Sequence, residues 1–594
     1  MSIPDSTRDR NDDPPHKERI GVGSPSRLDL IAAGVGIVLA GGFLEVAVHL
    51  FRRHVLHGFS YMSVDSVWMT PLCALLLMLP LLGVMALARE AVPRRVGWRL
   101  IVAVPTAAAT FSLLFLLMHN KLHVAAQALL AVGVGNSLGQ LAARVPLRTR
   151  SMVRRAAVVF GAAFACLAAG APTWQRMREG RAVGALAPLP PGTPNVLLII
   201  LDTVRSASLS LYGYSRPTTP NLERWAARGV VFQRAYSTAP WTLPSHASMF
   251  TGHWPNELSA DWNKSLDRGQ RTVAELLSDR GFATAGFTAN LFYTARESGL
   301  ARGFQRFEDF VTRPRQLLLS SGAGQAIQEY RSGWKPARWG NVRKHAGLIT
   351  NQFLTWLDKP RRAPFFAFLN YFDAHIPYAG SEEWRTKFRA GGGPRDDYDA
   401  AIATLDGALD SLFRQLERRG VLDQTVVIVA SDHGEMLGEH GIREHGNGLY
   451  RQELEVPLLM WGPGIPAGVR ANQPVSLRDL AATISDLAGA GDAGVPGASL
   501  ASTWQDGKAD SASQVFAWVT RPRNVEPGTP VAKGTMVSSV EGSLHYIRDG
   551  AGMEQLFDLV ADSAEMRNLA GTTADSAALQ RLRSITHFLL PGSR

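Results

Sequence analysis

Cysteine is nearly absent from this chain, with two residues in 594 and none after position 166. Disulfide bonds, thiolate metal sites and cysteine nucleophiles are therefore excluded from everything beyond that position. Cys73 and Cys166 themselves lie inside apolar runs. We interpret both as lipid-facing or helix-packed thiols.

Charge is also scarce over long stretches of the N-terminal third. Five apolar runs occur there, each close to the roughly 20 residues that an α-helix needs to cross a hydrocarbon core of about 30 Å. We therefore predict five transmembrane helices within residues 28–174, after a disordered cytoplasmic tail at residues 1–27 that is rich in Asp, Arg and Pro. The runs are Ile31–Val48, Val67–Ala88, Leu100–Met118, Leu122–Ala143 and Ala156–Trp174.

The connectors between these runs differ in positive charge. The tail and the even-numbered loops carry 14 Lys and Arg residues, and the alternate loops carry three. The positive-inside rule then predicts a multi-pass protein of the inner membrane with residues 175–594 outside the cytoplasm. The net charge of +11 is largely topological, so we do not expect nucleic-acid binding. Glu45 and His49 either line a lipid-headgroup site or extend to the membrane interface.

The remainder of the chain predicts an α/β domain. Residues 175–194 form a Gly/Pro-rich linker, after which short apolar runs alternate with helical stretches, as in a mostly parallel sheet flanked by helices. This domain spans residues 195–500, and a small C-terminal subdomain at 501–594 completes it with strands in Gly534–Ile547 and a helix in Asp575–Leu590. The predicted strands are Val196–Leu201, Phe282–Ala289, Phe365–Leu369, Thr425–Ala430 and Val456–Trp461, and a helix carries Tyr398 to Leu416.

Polar side chains follow several of these strands, where an open sheet binds its ligands. Asp202 ends the first strand, and Asp432 with His433 follows another. Thr242 heads a predicted helix whose N-terminus, with Ser245, favours an anionic group. Two carboxylates, an imidazole and an alkoxide suit a divalent cation such as Zn²⁺ or Mn²⁺, which would lower the pKa of the Thr242 hydroxyl for attack on phosphorus or sulfur.

Two histidines add to this set. His375 follows a strand together with Asp373, and His445 lies in the Gly-rich GEHGIREHGNG. Taken singly, an Asp after a strand is commonly a helix cap and a histidine is commonly packed or exposed. The functional interpretation depends on all these positions meeting at one edge of the sheet.

Four motifs then resemble, in order, those of the sulfatase family within the alkaline phosphatase superfamily: LLIILDTVRSASLSLYGY, TLPSHASMFTG, FFAFLNYFDAHIPY and SDHGEMLGEHG. GFATAGFTAN and LEVPLLMWGPG fit the same family, and EQLFDLVADSAEMRNLA resembles its closing segment. The resemblance covers nearly all of the exported part and implies the family's fold. Five spans before such a domain also resemble lipoteichoic acid synthases and the lipid A phosphoethanolamine transferases.

The resemblance implies roles for particular residues. His375 matches a histidine that contacts the bound sulfate or phosphate group, and His445 matches a substrate-side histidine of the phosphoethanolamine transferases. Both would position the anion, and they could protonate the leaving oxygen. One divalent ion is implied (Mn, Zn, Ca or Mg), and a second held by His375 and His445 is a further option. The implied metal ligands are Asp202, Thr242, Asp432 and His433.

The departures from the family pattern concern the nucleophile. Formylglycine sulfatases carry Cys or Ser in a C/S-x-P-S-R pattern, whereas this chain has Thr242 and, in place of the Arg, His246. Threonine cannot become formylglycine by that route. Asp202 is followed by Thr203 where sulfatases tend to have paired Asp, and His445 stands where they often have Lys. These differences favour phosphoryl chemistry through a phosphothreonine-like intermediate.

Three functions remain open at this point. The favoured one is hydrolysis or transfer of phosphodiesters on membrane lipid or envelope glycan; the second is sulfate-ester hydrolysis without formylglycine. The third is a non-catalytic membrane regulator that binds lipid. Pro314–His345, basic and poor in large aliphatic residues after Leu319, is a candidate insertion over the site.

Overall fold

The computed structural model places the chain in two compact units. A helical unit contains residues up to 46, 67–168 and 317–327, and an α/β unit contains 47–66, 169–316 and the chain from 328 onward. Most of the predicted tail at 1–27 lies outside the described residues. The structure describes residues 26–56, 59, 62–91, 93–119, 121–310, 314–331, 343–361, 363–389, 393–491, 494–505, 515–572 and 576–589.

Five helices of the described chain are long and apolar enough to cross a membrane, as predicted. The first begins where Ser26 and Asp29 exchange side-chain bonds to each other's backbone N–H, at 3.1 and 2.9 Å. The last continues to Gly184 instead of ending at Trp174, because residues 175–184 are largely Arg, Glu, Gln and Met, which favour helix. The predicted linker is therefore half helical. The helices are α1 (Arg27–His54), α2 (Ser66–Leu87), α3 (Arg94–Met118), α4 (Val124–Arg144) and α5 (Pro146–Gly184).

Residues 317–327, which lie in sequence between strands of the α/β unit, belong to the helical unit. Glu45 of α1 is 1% exposed and accepts the Gly322 N–H at 2.8 Å, and Ser112 of α3 accepts the Ala323 N–H at 2.7 Å. Part of the predicted insertion Pro314–His345 thus packs among the membrane helices, and its residues 332–342 lie outside the described chain. Two helices occupy the described part, α9 (Pro314–Leu319) and α10 (Gly322–Arg331).

A nine-stranded sheet forms the centre of the α/β unit, in the order β10-β2-β9-β6-β1-β5-β3-β4 with β11 beside β2. β1 pairs in parallel with both β5 and β6, so their carboxyl ends meet at one edge. The strands of this sheet are β1 (Asn195–Leu201), β2 (Gly229–Tyr236), β3 (Ala283–Thr288), β4 (Arg306–Glu308), β5 (Phe365–Tyr371), β6 (Thr425–Ala430), β9 (Glu455–Trp461), β10 (Val469–Ala471) and β11 (Val475–Ser476), and a hairpin outside it contains β7 (Met436–Leu437) and β8 (Arg443–Glu444).

The sheet is mixed, and β9 is the strand that differs from a parallel arrangement. It runs antiparallel to both β6 and β2. All seven of its residues are buried, as they would also be in a parallel strand that is covered on both faces. The sequence pattern therefore does not tell in which direction the strand runs. The chain between β6 and β9 holds the hairpin and a four-residue helix instead of a long crossover helix, which lets β9 return in the opposite direction. β2 was not among the predicted strands.

Helices cover both faces of the sheet and bury two apolar clusters against it. The predicted helix from Tyr398 to Leu416 is α13, and its apolar positions are buried. The helices are α6 (Pro220–Ala226), α7 (Thr242–Thr251), α8 (Val273–Arg280), α11 (Ala346–Leu357), α12 (Glu382–Phe388), α13 (Pro394–Arg418), α14 (Arg451–Leu454), α15 (Leu480–Leu487) and α16 (Ser502–Gln505).

The C-terminal segment forms a four-stranded antiparallel sheet with one helix against it. Tyr546 and Leu556 of the sheet pack on Leu579 and Leu582 of that helix. The elements are β12 (Val515–Val519), β13 (Met536–Glu541), β14 (Leu544–Arg548), β15 (Glu554–Asp558) and α17 (Ser576–Thr586).

Candidate active site

Two carboxylates and an imidazole meet at the carboxyl edge of the central strands. Asp202 directly follows β1, and Asp432 and His433 follow β6. All three are fully buried, and one ligand atom from each lies within 4.8 Å of the others. The adjacency of β1 and β6 therefore creates the cluster.

Each carboxylate is bonded on one oxygen and open on the other. Asp432 Oδ1 accepts the N–H groups of Thr203 at 3.2 Å and His433 at 3.0 Å, while Asp432 Oδ2 accepts no hydrogen bond from the described residues. Asp202 Oδ2 likewise accepts the side-chain amides of Asn290 at 3.1 Å and Asn370 at 3.2 Å, and Asp202 Oδ1 accepts none. Two buried carboxylates that each keep an open oxygen, and whose ligand atoms lie within 4.8 Å of each other, fit a divalent cation.

The electrostatics of the pair agree with that fit. Burial raises the pKa of Asp202 to about 6, even though the two asparagine amides act against it. Burial, together with the charge of Asp202, raises the pKa of Asp432 well above its usual range. Without a cation, both carboxylates are therefore costly to ionise.

His433 directs one ring nitrogen to the same place. Its Nδ1–H donates to the Gly434 carbonyl at 2.9 Å, which leaves Nε2 as the lone-pair nitrogen. Nε2 lies 3.4 Å from Asp432 Oδ2 and 3.4 Å from Thr242 Oγ1. An imidazole held in this tautomer is ready to coordinate a metal.

Thr242 is the first residue of α7 and is 2% exposed. Its side chain therefore lies beside backbone N–H groups that have no partner within the helix, which is a favourable place for an anion. The Ser245 hydroxyl donates to the Asp432 carbonyl at 2.6 Å. Ser245 thus fastens α7 to the loop after β6 and keeps Thr242 close to His433.

His375 and His445 join the cluster as predicted neighbours. The ring of His445 lies 4.5 Å from that of His433 and 5.0 Å from that of His375, centre to centre. His375 is stacked on Phe372 at 4.2 Å, and its Nδ1–H donates to the Ile376 carbonyl at 2.7 Å. Burial lowers the pKa of His375 well below its usual value, so this ring is neutral.

His445 has the opposite electrostatic setting. Burial alone would lower its pKa, but the Glu435 carboxylate, 3.2 Å from Nδ1, and the charges of Asp202 and Glu453 raise it above the ordinary value. His445 therefore carries a proton more readily than His375. Gly446 follows it at φ +78°, where a Cβ would come within 2.7 Å of the Trp262 ring. Glycine is required there to bring His445 into the cluster.

His246, the residue in place of the family's arginine, brings no charge. It is fully buried, its Nδ1–H donates to the Thr242 carbonyl at 2.9 Å, and its ring packs against Phe368. Burial lowers its pKa to about 4.

Asp373 is not part of the cluster. Its Oδ1 accepts the Ala346 N–H at the start of α11 at 3.3 Å.

Three residues of the cluster were not predicted from the sequence. Asn290 lies two residues after the end of β3, Asn370 is the penultimate residue of β5, and Glu435 orients His445. The strand-end positions of the two asparagines were a usable signal, but neutral amides are common at such places. Glu435 lies two residues after His433 in SDHGE, and this position does not indicate that its carboxylate contacts His445.

Taken together, two carboxylates with open oxygens, an imidazole nitrogen and a hydroxyl at a helix N-terminus suit a divalent cation and an anionic ester. The sulfatase family model matches residues 194–490. The chain belongs to the sulfatase family, and it is a sulfatase-like ester hydrolase.

Individual relatives fit this assignment. Human arylsulfatase K is 27% identical over 380 residues, which are 56% of this chain and 68% of that protein. Choline-sulfatase of Rhizobium meliloti is 24% identical over 62% of this chain and 81% of its own. The phosphonate monoester hydrolase of Agrobacterium radiobacter has a similar fold, with a TM-score of 0.52 and 19% identity, over 67% of this chain and 96% of that one.

Proposed function

We propose that this protein is a membrane-anchored, metal-dependent enzyme that uses Thr242 as a covalent nucleophile on phosphodiesters of an envelope lipid or glycan. The observation that carries the proposal is the position of Thr242 Oγ1 at a helix N-terminus, 3.4 Å from His433 Nε2. The residues that would hold the metal are Asp202, Thr242, Asp432 and His433. When bound, the cation supplies the positive charge that lets the Thr242 hydroxyl ionise.

The proposed reaction has two displacements. Thr242 Oγ1, after losing its proton to solvent, forms a bond to phosphorus while the ester P–O bond breaks, and the leaving oxygen takes a proton from His445. A water or an acceptor hydroxyl then attacks phosphorus, gives its proton to His445, and the bond from phosphorus to Thr242 Oγ1 breaks. The raised pKa of His445 supports the first role, and its contact with Glu435 maintains its orientation.

Threonine at the nucleophile position supports phosphoryl chemistry. Formylglycine, which forms from Cys or Ser, is excluded at residue 242. A phosphothreonine can be resolved by water or by an acceptor, so the same centre allows hydrolysis and transfer. The five spans support a lipid or lipid-linked substrate, since they keep the enzyme at the membrane.

Sulfate-ester hydrolysis is the second candidate. The family and the relatives named arylsulfatase K and choline-sulfatase support it. In this case Thr242 would attack sulfur as an alkoxide. The choice depends on relative turnover: faster cleavage of para-nitrophenyl sulfate than of bis-para-nitrophenyl phosphate by the same preparation would replace phosphate with sulfate in the proposal.

The test of the main proposal is mass spectrometry of residue 242. Full-length protein, loaded with metal and quenched during turnover of a phosphodiester, should carry on Thr242 a phosphoryl adduct that keeps the ester substituent that did not leave. Thr242→Ala should lose both the adduct and turnover, and Thr251→Ala, at the other end of α7, should keep both. Turnover by wild-type protein without any adduct at Thr242 would refute covalent catalysis by this residue.

The proposed orientation, with residues beyond 184 outside the cytoplasm, rests on the distribution of Lys and Arg and on the odd number of spans. Reporter fusions after residue 194 test it. An alkaline phosphatase reporter should be active there and a green fluorescent protein reporter should be dark. The reverse result would put the active site in the cytoplasm and remove envelope substrates.

A further inference from the structure

Asn290 contacts both the metal cluster and the nucleophile. It lies two residues beyond the end of β3, and it is 2% exposed. Its side-chain Nδ2 lies 3.1 Å from Asp202 Oδ2 and 3.4 Å from Thr242 Oγ1. Since the amide nitrogen has two hydrogens, it can donate one to each oxygen.

The orientation of this amide is fixed from the other end. Asn290 Oδ1 accepts the backbone N–H groups of Phe292 at 3.2 Å and Tyr293 at 3.1 Å. An acceptor is needed there, so the oxygen must face these N–H groups and the nitrogen must face the cluster. The two donor bonds are therefore a consequence of the local backbone.

Asn370, at the C-terminal part of β5, provides an internal comparison. Its Nδ2 donates to the same Asp202 Oδ2 at 3.2 Å, and its Oδ1 accepts the N–H groups of Ala289 at 3.2 Å and Asn290 at 2.9 Å. Both asparagines thus make two backbone bonds and one bond to Asp202. The contact with Thr242 belongs to Asn290.

We propose that Asn290 is a catalytic residue that donates a hydrogen bond to Thr242 Oγ1 and thereby stabilises the negative charge on this oxygen as it attacks. The same amide bonds to Oδ2 of Asp202, which leaves Oδ1 open and would orient this carboxylate to hold a cation. A donor directed at the place where charge develops, in a buried site, is worth far more than a hydrogen bond in water. This inference rests on the proposed role of Thr242 as nucleophile.

The two contacts of Asn290 predict two separable effects. Loss of the bond to Asp202 leaves this ligand less oriented, which typically weakens metal binding by about 10- to 100-fold. Loss of the bond to Thr242 slows the chemical step even when metal is saturating. Asn370 shares the first contact and lacks the second, so its variant serves as the matched control.

The experiment compares Asn290→Ala with Asn370→Ala in the full-length protein. Isothermal titration of metal-free protein with Mn²⁺ or Zn²⁺ should show weaker binding in both variants, by about 10- to 100-fold. At saturating metal, Asn370→Ala should regain nearly the wild-type kcat and rate of adduct formation on Thr242. Asn290→Ala should stay slower by about 100-fold, which is the lower end of the effect of losing one such donor.

Each of the other possible outcomes refutes a specific part of the proposal. Equal recovery of both variants at saturating metal would reduce Asn290 to a positioning residue for Asp202 and refute the proposal. Wild-type protein that forms no adduct would remove the proposed function, and the contact with Thr242 would then have no nucleophile to serve. If Asn290→Ala does not fold, Asn290→Asp replaces it, because this variant keeps the shape and the acceptor oxygen but removes the donor to Thr242.

Discussion

The two units of this protein bury acidic side chains in different ways. In the helical unit, Glu45 is 1% exposed, and its carboxylate accepts the Gly322 N–H at the start of α10, at 2.8 Å. In the α/β unit, Asp202 and Asp432 are fully buried, and each keeps one oxygen that accepts no hydrogen bond from the described residues. The first acid is balanced by a helix N-terminus, and the second two are not balanced by the protein.

This difference separates a structural acid from a functional one. The partial positive charge of a helix N-terminus satisfies a single carboxylate without any ligand. Asp406 of α13 repeats this solution inside the α/β unit, since its two oxygens accept the backbone N–H groups of Asn221 and Leu222 at 2.9 and 2.8 Å. Asp202 and Asp432, in contrast, each keep an oxygen that no described residue satisfies, and such a pair suits a cation. Burial alone therefore does not mark the site; what distinguishes it is that two carboxylates with open oxygens meet beside the ring of His433.

The largest effect is expected from a substitution in the pair Asp202 and Asp432, because each keeps an oxygen without a hydrogen-bond donor among the described residues. Asp432→Asn removes one anionic ligand, so the protein should lose its bound metal and ester turnover should fall by about 10³-fold or more. Elemental analysis and turnover of a phosphodiester measure both. Asp406→Asn is the matched control, because it changes a buried acid that caps a helix, and it should keep the metal. If Asp432→Asn bound metal at the wild-type level, Asp432 would not be needed as a ligand, and its contrast with Asp406 would be refuted.

The second prediction concerns stability of the metal-free protein. The pKa of Asp202 is raised to about 6 by burial, against about 3.9 in an unfolded chain. Between these values the folded state binds more protons than the unfolded state, so the free energy of unfolding should rise as pH falls from 7 to 4. The gain attributable to this residue is on the order of 2 kcal/mol.

Asp202→Asn should remove that part of the pH dependence and should be more stable than metal-free wild-type protein at pH 7. Thermal unfolding with a chelator, at several pH values, measures the difference between the two proteins. Added metal should reverse the order, since a ligand at 100 times its Kd stabilises the wild type by about 2.7 kcal/mol. A wild type that is already more stable than Asp202→Asn without metal at pH 7 would show that the protein itself balances the carboxylate.

Sequence reasoning reaches the part of the site that depends on strand ends. Asp202 directly follows one largely apolar strand and Asp432 lies two residues after the end of another, and adjacent parallel strands must bring such residues together. The roles assigned to them stay a prediction, although the structure places their ligand atoms within 4.8 Å. The five spans and the α/β class were also accessible, because both depend on hydrophobic periodicity and length.

Other features depend on contacts that no local pattern encodes. The Thr70 hydroxyl bonds to the Ser320 carbonyl across 250 residues, so the association of 317–327 with the membrane helices is invisible in sequence. The direction of β9 was hidden because both its faces are buried. The amides that hold Asp202 were missed because a neutral side chain gains its role only from the carboxylate it meets.

The third prediction tests the balanced acid. Glu45→Ala leaves the Gly322 N–H buried without an acceptor, which should destabilise the protein by about 1–3 kcal/mol. Glu45→Gln keeps an acceptor oxygen and should cost less. Thermal unfolding in detergent measures the loss, and metal content should stay at the wild-type level in both variants. A loss of metal in Glu45→Ala would contradict the purely structural role assigned to this acid.

The smallest effect is expected for an exposed acid, which needs neither a helix N-terminus nor a cation to stabilise its charge. Asp423 is 80% exposed and pairs with Arg228 at 3.1 Å. Water already stabilises its charge, so Asp423→Ala should change the free energy of unfolding by no more than about 0.5 kcal/mol, with metal content and turnover unchanged. Denaturant titration beside Glu45→Ala and Asp432→Asn checks the order. If Asp423→Ala destabilised the protein as much as Glu45→Ala, burial would not be the variable that separates the three kinds of acid, and the comparison between the two units would lose its physical basis.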